Sequence, residues 1–389
     1  MSKTPDCFDH IYINDIYWYA KNCNKKSTEI TFYTKLISIA VLMISILITI
    51  CLVIINLPFY KKLNKTKKIA LARVSRVSYK IKKYNNQLFI ITDDIKGFDF
   101  TLFRVVARRK MLFFIFLEMI NLCKHDYRLL LEDINQLDEP TDKRDLLKKF
   151  TFRIPHTVLY KFVINQIIKD YDKEEIITGQ MFDRFALIEE DICKYYGIKL
   201  ICIPHGVEIT LKMPRQYVGD LFYCTSNYMK NMLTSIYKST KYQYDENIVR
   251  KIYQKEIKNS SINKKVVFFT QPRETEKTIQ IIKLISERLV DSNIRMYIKV
   301  HPLENRNIYK DLSLISITSF DEAVTNSVCI SLSSTSLLEA IYNDSISISI
   351  INLLNKDITI DGKYSFLYDK RIHKPNSIDE VIKLVQHYY

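Results

Sequence analysis

The sequence predicts an α/β protein of two Rossmann-like domains facing a cleft, preceded by one N-terminal transmembrane helix. Three observations predict it. A twenty-residue run without a charge, LISIAVLMISILITICLVII, fills residues 36–55. Beyond it, short β-branched apolar runs alternate with helical patterns twice over, first in residues 87–235 and again from residue 265. The runs that read as strands end in polar corners such as VHPLENRN (300–307), where open parallel sheets carry their ligands.

A chain of 389 residues is long enough to divide into more than one domain. At 47% hydrophobic and 26% charged its composition is globular. The expected organisation is an N-terminal segment over 1–35, a transmembrane helix over 36–58, a first Rossmann-like domain over 59–235, and a second over 236–389.

At about 1.5 Å per residue the uncharged run covers a hydrocarbon core of roughly 30 Å. It starts too late for a signal peptide and no small-residue cleavage site follows it. Between Phe59 and Thr92 stand ten Lys/Arg and no Asp or Glu, against five basic and four acidic residues in the first 35. Positive charge beside a span marks its cytosolic end, so the C-terminal bulk is placed in the cytoplasm. The block Lys61, Lys62, Lys65, Lys67, Lys68, Arg73 and Arg76 reads as a tether that also suits anionic headgroups. The net charge of +15 admits nucleic acid, a membrane surface or an anionic substrate. Its concentration beside the span, with no RNA- or DNA-binding motif, argues against nucleic acid. The eight cysteines form no CxxC pair, and Cys193, Cys202, Cys224 and Cys329 in apolar contexts read as small core residues. No metal site and no cofactor are expected.

In chain order, QLFIITDD (87–94) reads as a strand and 102–123 as a long helix with a basic start. DKRDLLKKF and TVLYKFVINQIIKDY read as helices, EEIITGQ (174–180) as a short strand ending at Gly179, and DRFALIEEDICKYYG as a helix closed by Gly197. IKLICIPHG (198–206) and DLFYCTS (220–226) complete the first half, with a helix from Asn227. Strand–helix–strand alternation is the pattern of right-handed βαβ units. Residues 236–265 are polar and read as a connection or surface helix. VVFFT, RMYIKV, SLISIT, VCISLS and SISISII then supply a second sheet, and SIDEVIKLVQHYY closes the chain with a Ser377/Glu380 capping box.

Neither GxGxxG nor GxxxxGK[ST] occurs, which removes the main support for classical dinucleotide binding and P-loop hydrolysis. The segment CISLSSTSLLEA offers another anion holder: Ser333, Ser334 and Thr335 lie where a strand hands over to a helix, and free backbone N–H groups there favour a phosphate. Pro302 holds His301 extended at a strand end of the same half, flanked by Lys299 and Arg306, where its imidazole can donate to a phosphate oxygen. Gln271 and Arg273 follow the first strand of that half, and Arg273 suits a diphosphate or a sugar carboxylate. Glu339 lies on the following helix. For a general base, His205 at the IPHG corner comes first and Asp183, at the start of a helix, is the carboxylate alternative.

VHP after a strand, followed some thirty residues on by SSTSLLEA, resembles the HP and SS motifs of bacterial sialyltransferases and related capsule or surface-polysaccharide glycosyltransferases of GT-B type. IPHGVEITLK with SSTSLLEA is similar to the HG and SS elements of CDP-glycerol glycerophosphotransferases. The resemblance spans about residues 175–350. It implies a cytidine-nucleotide donor held by His301, Pro302, Ser333, Ser334 and Thr335, with Glu339 on the ribose hydroxyls as acids on that helix are in GT-B enzymes. Charge developing on the departing phosphate would be met by the Ser333–Thr335 helix start and His301 without a metal. The acidic Asp/Glu-Asp/Glu-Gly tripeptide of such sialyltransferases is missing; DDIKG (93–97) and EED (189–191) only approximate it.

The expected function is a membrane-anchored transferase moving a sugar, sialic acid from CMP-sialic acid, to a cell-surface glycan, capsule or lipid-linked acceptor. The alternatives are a CDP-glycerol or CDP-ribitol transferase and a non-catalytic membrane-tethered scaffold on the same fold.

Overall fold

A computed structural model describes residues 10–22, 27–59, 68–73, 75–92, 100–101, 104, 106–137, 141–169, 171–172, 174–203, 206–255, 264–271, 276–310, 312, 314–354 and 364–389. The chain forms two compact units: unit 1 is Met1–His205, Lys212–Tyr223 and Thr240–Tyr242, and unit 2 is Gly206–Leu211, Cys224–Ser239 and Gln243–Tyr389. Each is built on a parallel sheet with helices, so the two-sheet α/β class expected from the sequence is what the chain adopts.

Unit 1 carries β1 (Ile69–Ala72), β2 (Phe89–Thr92), β3 (Phe100–Thr101), β4 (Glu175–Thr178), β5 (Lys199–Cys202), β6 (Leu221–Tyr223) and β7 (Tyr242–Gln243), in the order β3-β2-β1-β4-β5-β6-β7. The registers from β3 through β6 are all parallel. Around the sheet lie α1 (Ile13–Asn22), α2 (Phe32–Asn56), α3 (Ser75–Tyr84), α4 (Arg108–Phe113), a π-helical turn (Phe114–Glu118), α5 (Met119–Asn135), α6 (Lys143–Thr151), α7 (Ile154–Lys169) and α8 (Arg184–Tyr196).

The expected tether is not a tether along its whole length. Ile69–Ala72 fold as β1 and Ser75–Tyr84 as α3, and β1 is an interior, fully buried strand, flanked by β2 and β4. Its four apolar residues stand between Lys68 and Arg73, so the charge on either side hides a strand too short to show an alternating pattern. In α3, Val77 and Ile81 are four residues apart and both buried. Val77 packs over the end of β4 at Gly179, where a Cβ would stand 2.1 Å from Val77 Cγ1. The expected helix over 102–123 begins at Arg108 and runs on to Asn135, because Cys123, Leu130 and Ile134 continue its buried face. Asp183 caps α8 by accepting the Ala186 N–H at 3.0 Å, and Gly197 ends it at φ 67°.

The N-terminal residues belong to unit 1. Ile11, Tyr12 and Ile16 are fully buried, Tyr12 OH donates to Asp126 at 2.9 Å, and Arg184 meets Asp15 at 2.6 Å. Asn14 donates to the Phe182 and Arg215 carbonyls, both at 2.9 Å. Phe32–Phe59 is long and apolar enough to cross a membrane by length and composition. Its α2 portion lies along α6 and α7, burying Thr34, Ser38, Leu42, Ser45, Ile46, Thr49 and Val53.

Unit 2 carries β8 (Lys265–Phe269), β9 (Met296–Lys299), β10 (Ile315–Ser316), β11 (Ser327–Ser331), β12 (Ile346–Ser349) and β13 (Ile372–His373), in the order β10-β9-β8-β11-β12-β13 with parallel registers throughout. Its helices are α9 (Asn227–Tyr237), α10 (Glu246–Tyr253), α11 (Glu276–Val290), α12 (Phe320–Val324), α13 (Ser336–Ile341) and α14 (Ile378–Tyr388). The five expected runs fall in β8 to β12, in one sheet. The weakly patterned stretch after residue 236 holds β7 and α10. Ser377 accepts the Glu380 N–H at 3.2 Å, and Glu380 in turn accepts the Asn376 N–H at 2.7 Å, close to the expected capping box. Cys193, Cys202, Cys224 and Cys329 are buried, as their apolar contexts predict, and none is in a disulfide.

Candidate functional site

Both sheets are doubly wound, and in each the strand order reverses once, between β1 and β4 in unit 1 and between β8 and β11 in unit 2. Crevices for ligands open beyond the carboxyl ends of strands at such reversal points. A ligand in either unit would therefore meet the residues just past those four strands.

In unit 2, β8 runs into Thr270 and Gln271, and β11 into Leu332, Ser333, Ser334 and Thr335. The two corners are tied to each other. Ser331 Oγ donates to the Phe269 carbonyl at 2.8 Å. With the Gln271 amide turned to satisfy its neighbours, its oxygen accepts the N–H groups of Ser333 and Ser334 at 2.6 and 2.9 Å, and its nitrogen donates to Ser333 Oγ at 3.0 Å. Two of the backbone donors that the sequence offers to an anion are thus held by a side chain of the neighbouring strand. Ser336 N–H turns back to Ser334 Oγ at 3.3 Å. Thr335, the exposed member of the turn, makes no capping bond with its hydroxyl.

His301 follows β9, next to β8, so it shares the carboxyl edge with this turn. Its N–H donates to Thr270 Oγ1 at 2.8 Å, and Thr270 Oγ1 donates to Glu304, whose other oxygen accepts from Tyr309 OH at 2.9 Å. Pro302 takes the second position of a turn closed by Glu304 N–H on the His301 carbonyl at 3.0 Å. The Leu303 N–H donates to His301 Nδ1 at 3.2 Å. Nδ1 is therefore an acceptor, and the proton of the neutral ring sits on Nε2, ready to donate. Thr270 and Glu304 form a support for His301 that periodicity alone does not reveal.

Two further expected donor contacts have partners within unit 2. Lys299 donates Nζ to the Thr318 carbonyl beyond β10, and burial, then the nearby Arg306 charge, lowers its pKa. Glu339 is 5% exposed on α13 and faces Lys255 at 3.7 Å, an ion-pair partner inside unit 2. Arg273 lies outside the described residues.

In unit 1 the reversal point holds Arg73, past β1, and Asp183, past β4, 3.3 Å apart. Asp183 is thus both helix cap and ion-pair partner. Arg73 also stacks on Phe185, with its guanidinium carbon 3.8 Å from the ring centre. Nearby on α8, Glu189 is fully buried and accepts from Tyr160 OH, and burial pushes its carboxyl up to about 8. Charge spacing hides both Arg73, inside the basic block, and Glu189, inside an ordinary amphipathic helix. His205 lies outside the described residues. A few positions further on, in unit 2, Glu208 is fully buried and raised to about 7 by burial; it accepts from the Thr225 N–H at 2.7 Å and the Thr225 hydroxyl at 2.5 Å, fixing the start of α9.

No family model matches the sequence. No curated protein matches it either. Among solved structures the chain is similar to UDP-GlcNAc 2-epimerase from Neisseria meningitidis bound to UDP-GlcNAc, at 11% identity and TM-score 0.47 over 82% of this chain and 90% of that one. It is similar to CalG4, the calicheamicin glycosyltransferase, at 7% identity and TM-score 0.43 over 84% and 90%. It is also similar to the E. coli heptosyltransferase WaaC with ADP-2-deoxy-2-fluoro heptose, at 8% identity and TM-score 0.38 over 82% and 99%.

Proposed function

We propose that this chain is a membrane-attached glycosyltransferase that binds a nucleotide sugar at the carboxyl edge of the unit 2 sheet. The observation that carries the reading is the convergence, around the β8–β11 reversal point, of Gln271, Ser333, Ser334 and Thr335 with His301 one strand away. Departure of a nucleotide leaves negative charge on a phosphate. The His301 Nε2–H and the Thr335 hydroxyl are donors able to meet it, while Gln271 and Ser333 keep the turn in shape; fixed donors at developing charge are an effective source of catalysis.

The HP and SS resemblance supports a cytidine nucleotide, with CMP-sialic acid first and CDP-glycerol or CDP-ribitol second. The acceptor is a cell-surface or lipid-linked glycan, met by unit 1 on the cytoplasmic side. For the base we keep His205, because Asp183 is already engaged as cap and ion-pair partner. α2 supplies the membrane attachment.

Binding of CMP, CDP, UDP and GDP to the purified full chain, measured by calorimetry, tests the reading. A cytidine nucleotide is expected to bind best, and His301→Ala to weaken it about tenfold to a hundredfold, the cost of one charge-assisted hydrogen bond. Product analysis with CMP-sialic acid against CDP-glycerol separates the two donor classes. Equal and negligible affinity for all four nucleotides in the wild type would favour the scaffold.

A further inference from the structure

We infer that α2 lies flat on a membrane instead of crossing it, forming with α4, the π turn and α5 one apolar face seated on a bilayer that carries anionic lipid. The inference rests on the membrane attachment proposed above and specifies its geometry.

The first reason is connectivity. α1 precedes α2, while α5 and α8 follow it, and α1 is folded into the same unit as both: Ile11, Tyr12 and Ile16 are fully buried, Tyr12 reaches Asp126 on α5, and Asp15 meets Arg184 on α8. A crossing at α2 would put α1 and its partners on opposite sides of the bilayer. Extracting α1 would leave Arg184, Asp126 and the backbone carbonyls bound by Asn14 without these partners, at a cost of several buried polar contacts.

The second reason is how α2 divides its surface. The side against α6 and α7 is rich in hydroxyls, and these are answered by unit 1: Ser45 Oγ donates to the Phe152 carbonyl at 2.5 Å and Ser38 Oγ meets Tyr127 OH at 2.5 Å. The other side is mostly large and apolar, with Leu36, Ile44, Leu47 and Ile55 each more than half exposed and only Lys35, Ala40 and Cys51 breaking the run. The π turn exposes Phe116 and Leu117 at 64% and 62%. The two ridges meet at both ends, where Ser38 touches Tyr127 of α5 and where Arg108, at the start of α4, donates to the Pro58 carbonyl at 2.9 Å. Soluble monomers seldom leave so much large apolar surface uncovered.

Charge selects the occupant. Exposed Arg108 and Arg109 stand at the Pro58 end, and the chain continues from there into Lys61, Lys62, Lys65, Lys67 and Lys68. An apolar helical face with cations at its margin is the pattern of an in-plane helix on anionic headgroups.

The test is flotation of the full chain with phosphatidylcholine vesicles, with and without phosphatidylglycerol, combined with labelling by an impermeant maleimide. The chain is expected to float, more completely with phosphatidylglycerol. The pair Phe116→Glu and Leu117→Glu, on exposed positions away from α2, is expected to reduce binding about tenfold or more, since each large apolar side chain withdrawn from water contributes about a decade of affinity. Leu47→Glu is the second variant should the pair fail to fold. Cysteines placed at Glu29 and Asn86, before and after α2, in a chain whose Cys7, Cys23 and Cys51 are replaced by Ser, are expected to react from the same face of sealed vesicles. Undiminished flotation of the pair, with the two cysteines on opposite faces, would establish a crossing and overturn the inference while leaving membrane attachment intact. A wild-type chain that stays with the soluble fraction would overturn both, and a dimer dissociated by Phe116→Glu would assign the face to a second copy.

Discussion

Single residues show where the sequence speaks and where it does not. His301 and Ser333–Thr335 are legible because Pro302 and a run of hydroxyls mark abrupt ends of apolar runs, and both lie where expected, on one sheet edge with β8 between them. What these residues bond to is not legible. The use of Gln271 to hold the Ser333 and Ser334 N–H groups depends on β8 and β11 being neighbours, although sixty residues separate them in sequence. Glu189 is a sharper case, since its spacing on α8 is unremarkable and its burial raises its carboxyl from 4.5 to about 8. The folded chain then keeps a proton there that the unfolded chain loses above about pH 4.5. Stability is full below that pH and falls as pH rises towards 8, by a few kcal/mol for this group. Glu189→Gln, which can still accept from Tyr160, is expected to flatten that fall and to be the more stable protein at pH 8.5. Urea unfolding at pH 5 and pH 8.5 measures it; an unchanged pH slope would count against the buried carboxyl.

At the scale of elements, periodicity finds the long helices and most of the strands and fails where elements are short or flanked by charge. β1 is the clearest failure, four residues inside a basic stretch, recognisable only because β2 and β4 pair with both of its edges. For α2 the pattern gives length and apolarity but not which side is packed. The structure makes its small polar stripe the structural one. Ser45→Ala is therefore expected to cost about 1–2 kcal/mol by orphaning the Phe152 carbonyl, whereas Leu47→Ala, on the exposed side, stays within about 0.5 kcal/mol. Denaturant unfolding in detergent-free buffer of low protein concentration compares the two, and the opposite order would mean that α2 does not dock on α6 and α7.

For the whole molecule, charge is the property that composition sets outright. A chain of +15 with its cations gathered beside α2 is expected to bind anionic vesicles less well as salt rises from about 0.1 M to about 1 M, falling to the level seen with phosphatidylcholine alone, because screening shortens from about 10 Å to about 3 Å. Sedimentation with phosphatidylglycerol vesicles follows this, and binding unchanged by salt would assign it to apolar contact alone. The sequence by itself determined the α/β class, the presence of two sheets, the apolar length of α2 and the polar corners at the strand ends, because these follow from hydrophobic period and from proline, glycine and serine chemistry acting over a few neighbours. Only the tertiary structure decided the strand orders, the engagement of Gln271 with the serine turn, the burial of Glu189 and the presence of α1 in the same unit as the chain beyond α2. Those are contacts between residues far apart in sequence, made when buried surface repays the entropy of closing long loops, and no local pattern encodes them.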